Sequence, residues 1–121
     1  MAMDFAITDR QVDGDRHIVA VSGEIDLFTA PEFKQRVSAP IDAGRSNVII
    51  DLSETTFIDS SSLGVLIGAH RRLKQRNGSL VVVCDNDAIV KTFKITGLDG
   101  VFTLVRSLDD ALDGDAVRTG P

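Results

Sequence analysis

Tryptophan and tyrosine are absent from this chain, cysteine occurs once, histidine twice and proline three times. Without Trp or Tyr, the core must be built from Val, Ile, Leu and Phe. Exposed aromatic platforms for stacking single-stranded nucleic acid are also missing. The net charge of −5 argues further against a phosphate backbone as partner. One cysteine cannot form an internal disulfide, which suits a reducing compartment. It stands in Leu80-Val81-Val82-Val83-Cys84 and reads as a small buried hydrophobe. No apolar run approaches the ~20 residues of a membrane span. The start, Met1-Ala2-Met3-Asp4-Phe5, lacks the basic and apolar regions of a signal peptide, so a cytoplasmic protein is expected, with neither nucleic acid nor membrane as partner.

Catalytic patterns are missing too. Nothing matches the phosphate-binding G-x-x-x-x-G-K-[ST] loop or the dinucleotide fingerprint, and Gly64 and Gly68 fall inside a predicted helix. His70 lies nine residues beyond Ser61, about 13 Å along a helix axis, too far to act as its base. His and Cys clusters for a metal are lacking. The expectation is a binding protein with no cofactor of its own, not an enzyme.

What the sequence does contain is a regular alternation. Phe5 to Val12 and His17 to Ser22 read as strands joined by the turn Asp13-Gly14-Asp15. Thr29-Ala30-Pro31-Glu32 opens a helix with a capping-box spacing, and Pro40 predicts its end near Ser38 or a broken last turn. Asn47 to Leu52 is a strand covered on both faces. A helix follows from Ser60 to Arg76, stopped by Asn77-Gly78. Leu80 to Cys84 is a strand. Asp85-Asn86-Asp87 caps a helix running to Thr96, Val101 to Val105 is a strand, and Ser107 caps a short helix over Leu108 to Leu112. The order predicts an α/β domain over residues 1–112, with a mixed, mostly parallel sheet of four to five strands flanked by about four helices. Residues 113–121 are polar and expected to be a disordered tail.

One stretch asks for more than a structural role. Asp59-Ser60-Ser61-Ser62 precedes an apolar helix, and capping needs only one such residue. On a helical wheel Leu63, Leu66, Ile67, His70 and Leu73 share one stripe, and His70 reads as a histidine at the rim of the core. Ser61, Val65, Gly68 and Arg72 take the opposite side, with Gly64 beside them. Ser61 is therefore expected to face away from the core beside a smooth patch, either a docking surface or a face covered by a neighbouring helix.

Four stretches resemble a known family: Val21-Ser22-Gly23-Glu24-Ile25-Asp26 with Ala30-Pro31; Val48-Ile49-Ile50-Asp51-Leu52; Phe57-Ile58-Asp59-Ser60-Ser61-Ser62-Leu63-Gly64; and Ile95-Thr96-Gly97-Leu98-Asp99-Gly100-Val101-Phe102. The chain resembles a STAS domain, and within that family the bacterial anti-sigma factor antagonists. The resemblance implies that Ser61 accepts a phosphoryl group, and the wheel singles out the same residue. The family's usual glycine after that serine is Ser62 here. The resemblance also implies the partners. An anti-sigma factor that is itself a serine kinase supplies the ATP, and a serine phosphatase resets the switch. The unphosphorylated chain would bind the anti-sigma factor and release a sigma factor, as in stress responses built on partner switching. The partner-binding surface would comprise Asp26, Asp59, Ser60, Ser61, Ser62, Gly64, Val65, Gly68 and Arg72. Two other uses of such a chain are a non-switching subunit of a transporter ATPase or stress-signalling complex, and a small-ligand or nucleotide sensor at the strand ends near Asp26 and Ser61.

Overall fold

The computed structural model describes residues 5–112, and the expected tail at 113–121 lies outside them. The element order is β1 (Ala6–Gln11), β2 (Arg16–Ile25), α1 (Ala30–Asp42), β3 (Asn47–Ile58), α2 (Ser60–Lys74), β4 (Ser79–Val83), α3 (Asp87–Ile95), a 3₁₀ turn (Leu98–Gly100), β5 (Thr103–Val105) and α4 (108–112). The five strands form one sheet in the order β1-β2-β3-β4-β5. β1 is antiparallel to β2, and the remaining pairs are parallel. The mixed α/β architecture expected from the sequence is the one observed.

Alternation along the strands divides the core. Val19, Val21, Val48, Ile50, Leu52, Leu80 and Val82 pack under α1, α2 and α3. Ile18, Ile49, Val81 and Val83 face the other way, beneath Ala111, Leu108 and Leu112 of α4. Val48-Ile49-Ile50 is unbroken because it serves both layers. Cys84 is fully buried, and burial pushes its thiol pKa up, so it is protonated at neutral pH.

Several boundaries differ from the sequence reading. β3 does not stop at Leu52 but continues through Ser53-Glu54-Thr55-Thr56-Phe57 to Ile58. β4 pairs with it only as far as Asp51, so the later residues have a neighbour on the β2 side alone and tolerate polar side chains. Thr55, buried within this polar run, donates its hydroxyl to the Val21 carbonyl at 2.8 Å. β2 also runs three residues past Ser22, across register irregularities in which Gly23 adopts φ 86°.

α1 passes through Pro40 to Asp42. Proline there costs a single ladder bond near the helix end, and its ring is buried in the core. The predicted capping box at Thr29 does not form: its hydroxyl donates back to the Glu24 carbonyl of β2 and makes no cap bond. α2 ends at Lys74, two residues before the predicted Arg76. Asn77 takes φ 60°, and the Gly78 amide closes onto the Leu73 carbonyl at 2.7 Å. A side chain at Gly78 would meet the Ser46 carbonyl oxygen at 2.1 Å, so the turn requires glycine.

Candidate functional site at the carboxyl edge of the sheet

The parallel pairing of β2 with β3 ends at Ile25 opposite Ile58, which puts the next residues, Asp26 and Asp59, at one edge. Strand ends of this kind are where α/β folds gather their functional groups. Each aspartate then organises the start of a helix.

Asp59 is the N-cap of α2. Its Oδ1 accepts from the amides of Ser61 at 3.0 Å and Ser62 at 3.2 Å, and from the Ser61 hydroxyl at 2.5 Å. Asp59's own amide donates to Ser62 Oγ at 3.3 Å, which completes a capping box. The Ser61 hydroxyl holds the Asp59 carboxyl below the ordinary carboxylate range, and the two amides add to this against the opposing effect of burial. Asp59 is thus an anion at neutral pH, seated where the helix dipole favours one.

The three serines have different fates. Ser60 is exposed. Ser61 is half-buried, with its hydroxyl on Asp59. Ser62 is completely buried and donates to the Ile25 carbonyl at 2.7 Å. A hydroxyl committed in that way presents no oxygen to an outside reagent.

Asp26 shapes the turn from β2 into α1. Its Oδ1 accepts from the amides of Phe28 at 2.9 Å and Thr29 at 3.1 Å. Thr29 Oγ1 accepts from the Asp26 amide at 2.9 Å and donates to the Glu24 carbonyl at 3.1 Å. The Ile25 carbonyl that receives Ser62 immediately precedes this turn, so the two helix starts are physically joined.

Below Ser61 lies a groove of about 510 Å³ between α1 and α2. Gly64, Val65, Gly68, Ala69, Arg71 and Arg72 line it from α2, and Lys34, Val37 and Ser38 from α1. Added Cβ atoms at Gly64 and Gly68 would meet nothing within 4 Å, so the glycines open the groove to solvent. Arg72 reaches across to pair with Asp42 of α1. Val65 is half-buried and packs against the core from this wall.

The wheel had α2 rotated. Its buried residues are Ser62, Leu63, Leu66, Ala69 and Leu73, while Ile67 and His70 are only half-buried. Small Ser62 and Ala69 belong to the buried stripe, so half-buried Ser61 stands at the rim of the core and not opposite it. His70 lies edge-on to Phe102, with ring centroids 5.5 Å apart, and its buried Nδ1 has no hydrogen-bond partner among the described residues. Burial, assisted by Lys74, pushes its pKa below the ordinary 6.5. The sequence reading also passed over Leu27 and Phe28, an apolar pair following Asp26 at the same edge. Their signal was their place outside both flanking elements. Lys34, Val37, Ser38 and Arg71 went unnoticed because helix-to-helix facing is not visible in a single helical wheel.

Among the described residues no group of His, Cys, Asp or Glu is placed to hold a metal ion, and no helix is long and apolar enough to cross a membrane.

The comparisons agree on one family. The STAS domain model matches residues 6–111. The anti-sigma-B factor antagonist of Listeria monocytogenes is 32% identical over 113 residues, covering 93% of this chain and 98% of that protein. A crystal structure of an anti-sigma factor antagonist from Mycobacterium paratuberculosis superposes with a TM-score of 0.84 at 34% identity, covering 92% of this chain and 93% of that one. The unphosphorylated form of the anti-sigma factor antagonist SpoIIAA shares the fold, with a TM-score of 0.80 at 22% identity over 94% of this chain and 97% of its own. By family match, identity and fold together, the chain belongs to the STAS domain family and groups with its anti-sigma factor antagonists.

Proposed function

We propose that this chain is a cytoplasmic anti-sigma factor antagonist switched by phosphorylation of Ser61. Unphosphorylated, it binds an anti-sigma factor that is also a serine kinase, and so frees a sigma factor. The kinase transfers the γ-phosphoryl group of its own ATP to Ser61 Oγ. ADP departs, the hydroxyl proton is lost, and binding ends. A serine phosphatase hydrolyses the ester and restores the binding form. The chain acts as a switch and a substrate, with no turnover of its own.

The observation that carries this reading is the unequal state of three adjacent serines. Ser62 is sealed by its bond to Ile25, whereas Ser61 sits at the rim. The Ser61 hydroxyl points its hydrogen at Asp59, which leaves the oxygen's lone pairs directed away from that carboxylate. Membership of the family and likeness to named antagonists support the same reading.

The energetics favour blocked docking over unfolding. A phosphate at a helix start gains about 0.3–1 kcal/mol from the dipole. Burying the dianion in an interface beside Asp26 and Asp59 costs several kcal/mol. The interface cost is the larger, so modification ends binding while the domain stays folded. Peptide mapping after incubation with the purified kinase and ATP tests the assignment: one phosphate on Ser61 supports it, and a phosphate on Ser60 or Ser62 contradicts it.

A further inference from the structure

Leu27 and Phe28 are 70% and 89% exposed, in a chain whose other large apolar residues mostly lie in the core. The backbone that carries them is tied down at several points. The Asp26 carboxylate takes the amides of Phe28 and Thr29, Thr29 Oγ1 bridges the Asp26 amide and the Glu24 carbonyl, and the Ala30 amide closes on the Asp26 carbonyl at 2.8 Å. A turn fixed at so many points loses little further backbone entropy when its side chains are captured. Aromatic side chains, Phe among them, are enriched at protein interfaces. The turn is also continuous with the Ser61 site, through the bond from Ser62 to Ile25.

The surroundings select the occupant. Glu24 is exposed beside the pair, and Asp26 and Asp59 lie at the same edge, so the anchor has an acidic rim. A second copy would bring an identical acidic rim against it, in a chain of net charge −5. Two side chains also fall far short of the ~800 Å² per partner that a stable dimer buries. An anionic lipid surface carries the same unfavourable sign. A cleft with an apolar floor and a basic rim complements both features.

We propose that Leu27 and Phe28 are the apolar anchor with which the chain docks into a basic-rimmed hydrophobic cleft on the serine kinase that modifies Ser61. This inference rests on the function proposed above. It adds a contact that supplies affinity without touching the reacting hydroxyl.

The test is calorimetric titration of wild type, Phe28→Ala and Phe28→Leu into the purified kinase with ADP. Initial rates of Ser61 phosphorylation and a thermal melt of each variant accompany it. Phe28→Ala is expected to bind at least about tenfold more weakly and to raise KM by a similar factor. Phe28→Leu should recover to within about threefold, because a branched apolar side chain still fills an apolar floor. The melts should coincide, since the ring is almost fully exposed. Wild-type affinity in Phe28→Ala overturns the anchor and leaves the Ser61 switch standing. A wild type that neither binds the kinase nor is phosphorylated overturns both. Sedimentation of wild type as a dimer that Phe28→Ala abolishes overturns the proposal in favour of a second copy.

Discussion

Ser62 Oγ lies 2.7 Å from the Ile25 carbonyl oxygen and donates to it, fastening the start of α2 to the end of β2 from a fully buried position. The same oxygen accepts the Asp59 amide. Ser62→Ala therefore removes a buried donor and half of the capping box. The expected cost is about 1–2 kcal/mol, seen as a fall in melting temperature of about 3–8 °C. An unchanged melt would show that the bond contributes nothing to stability.

Asp59 offers a second handle. Asp59→Ala removes the acceptor for two amides and the Ser61 hydroxyl at once. Loss of this cap should cost about 1–2 kcal/mol. Asp59→Asn keeps an acceptor oxygen, so it should retain part of that stability while losing the anion. A denaturant titration of the three proteins measures the order wild type, then Asn, then Ala; equal midpoints would contradict the cap.

Acid should destabilise the domain in two stages. His70 has a folded pKa below its ordinary 6.5, so between the two values the unfolded chain binds a proton that the folded one refuses. Stability is full above about pH 6.5 and declines as pH falls toward the folded value. Asp59 and Asp13 are depressed in the folded state, by the Ser61 hydroxyl and by Arg16 respectively. Their contribution is present above the ordinary value of 3.8 and is lost below it. Melts of wild type and His70→Leu from pH 7.5 to 5 isolate the first stage. The wild type should lose stability over that range and the variant should lose less; parallel curves would rule out His70 as the cause.

Gly68 lines the groove under Ser61, and an added Cβ there would meet no atom within 4 Å. Gly68→Arg should thus leave the fold intact, and replacing a mid-helix glycine can even gain up to about 1 kcal/mol. If the groove is part of the partner surface, kinase affinity falls at least tenfold, about 1.4 kcal/mol. A titration paired with a melt decides it: unchanged affinity removes the groove from the interface.

The sheet was legible because strands buried on both faces announce themselves, as Val48-Ile49-Ile50 and Leu80-Val81-Val82-Val83 do. The polar end of β3 was not, because its place in the sheet depends on β2 and on Thr55 bonding to Val21, a partner 34 residues away. The helix starting at Ser60 was legible from its cap and periodicity, but its rotation was not. Counting large apolar side chains put the core on the side of Ile67 and His70, whereas the buried face is completed by small Ser62 and Ala69. The motif pointed at Asp59 and Ser61 directly. That Ser62, standing where the family usually has glycine, is spent on the Ile25 carbonyl was a fact of packing that no local pattern carries.

The central claim is that charge on Ser61 separates a binding form from a non-binding one. Its most direct measurement is the affinity of Ser61→Ala and Ser61→Asp for the purified kinase, titrated under identical salt. The account predicts tight binding by the alanine variant and binding at least about tenfold weaker by the aspartate variant, a gap of about 1.4 kcal/mol. Equal affinities would contradict it.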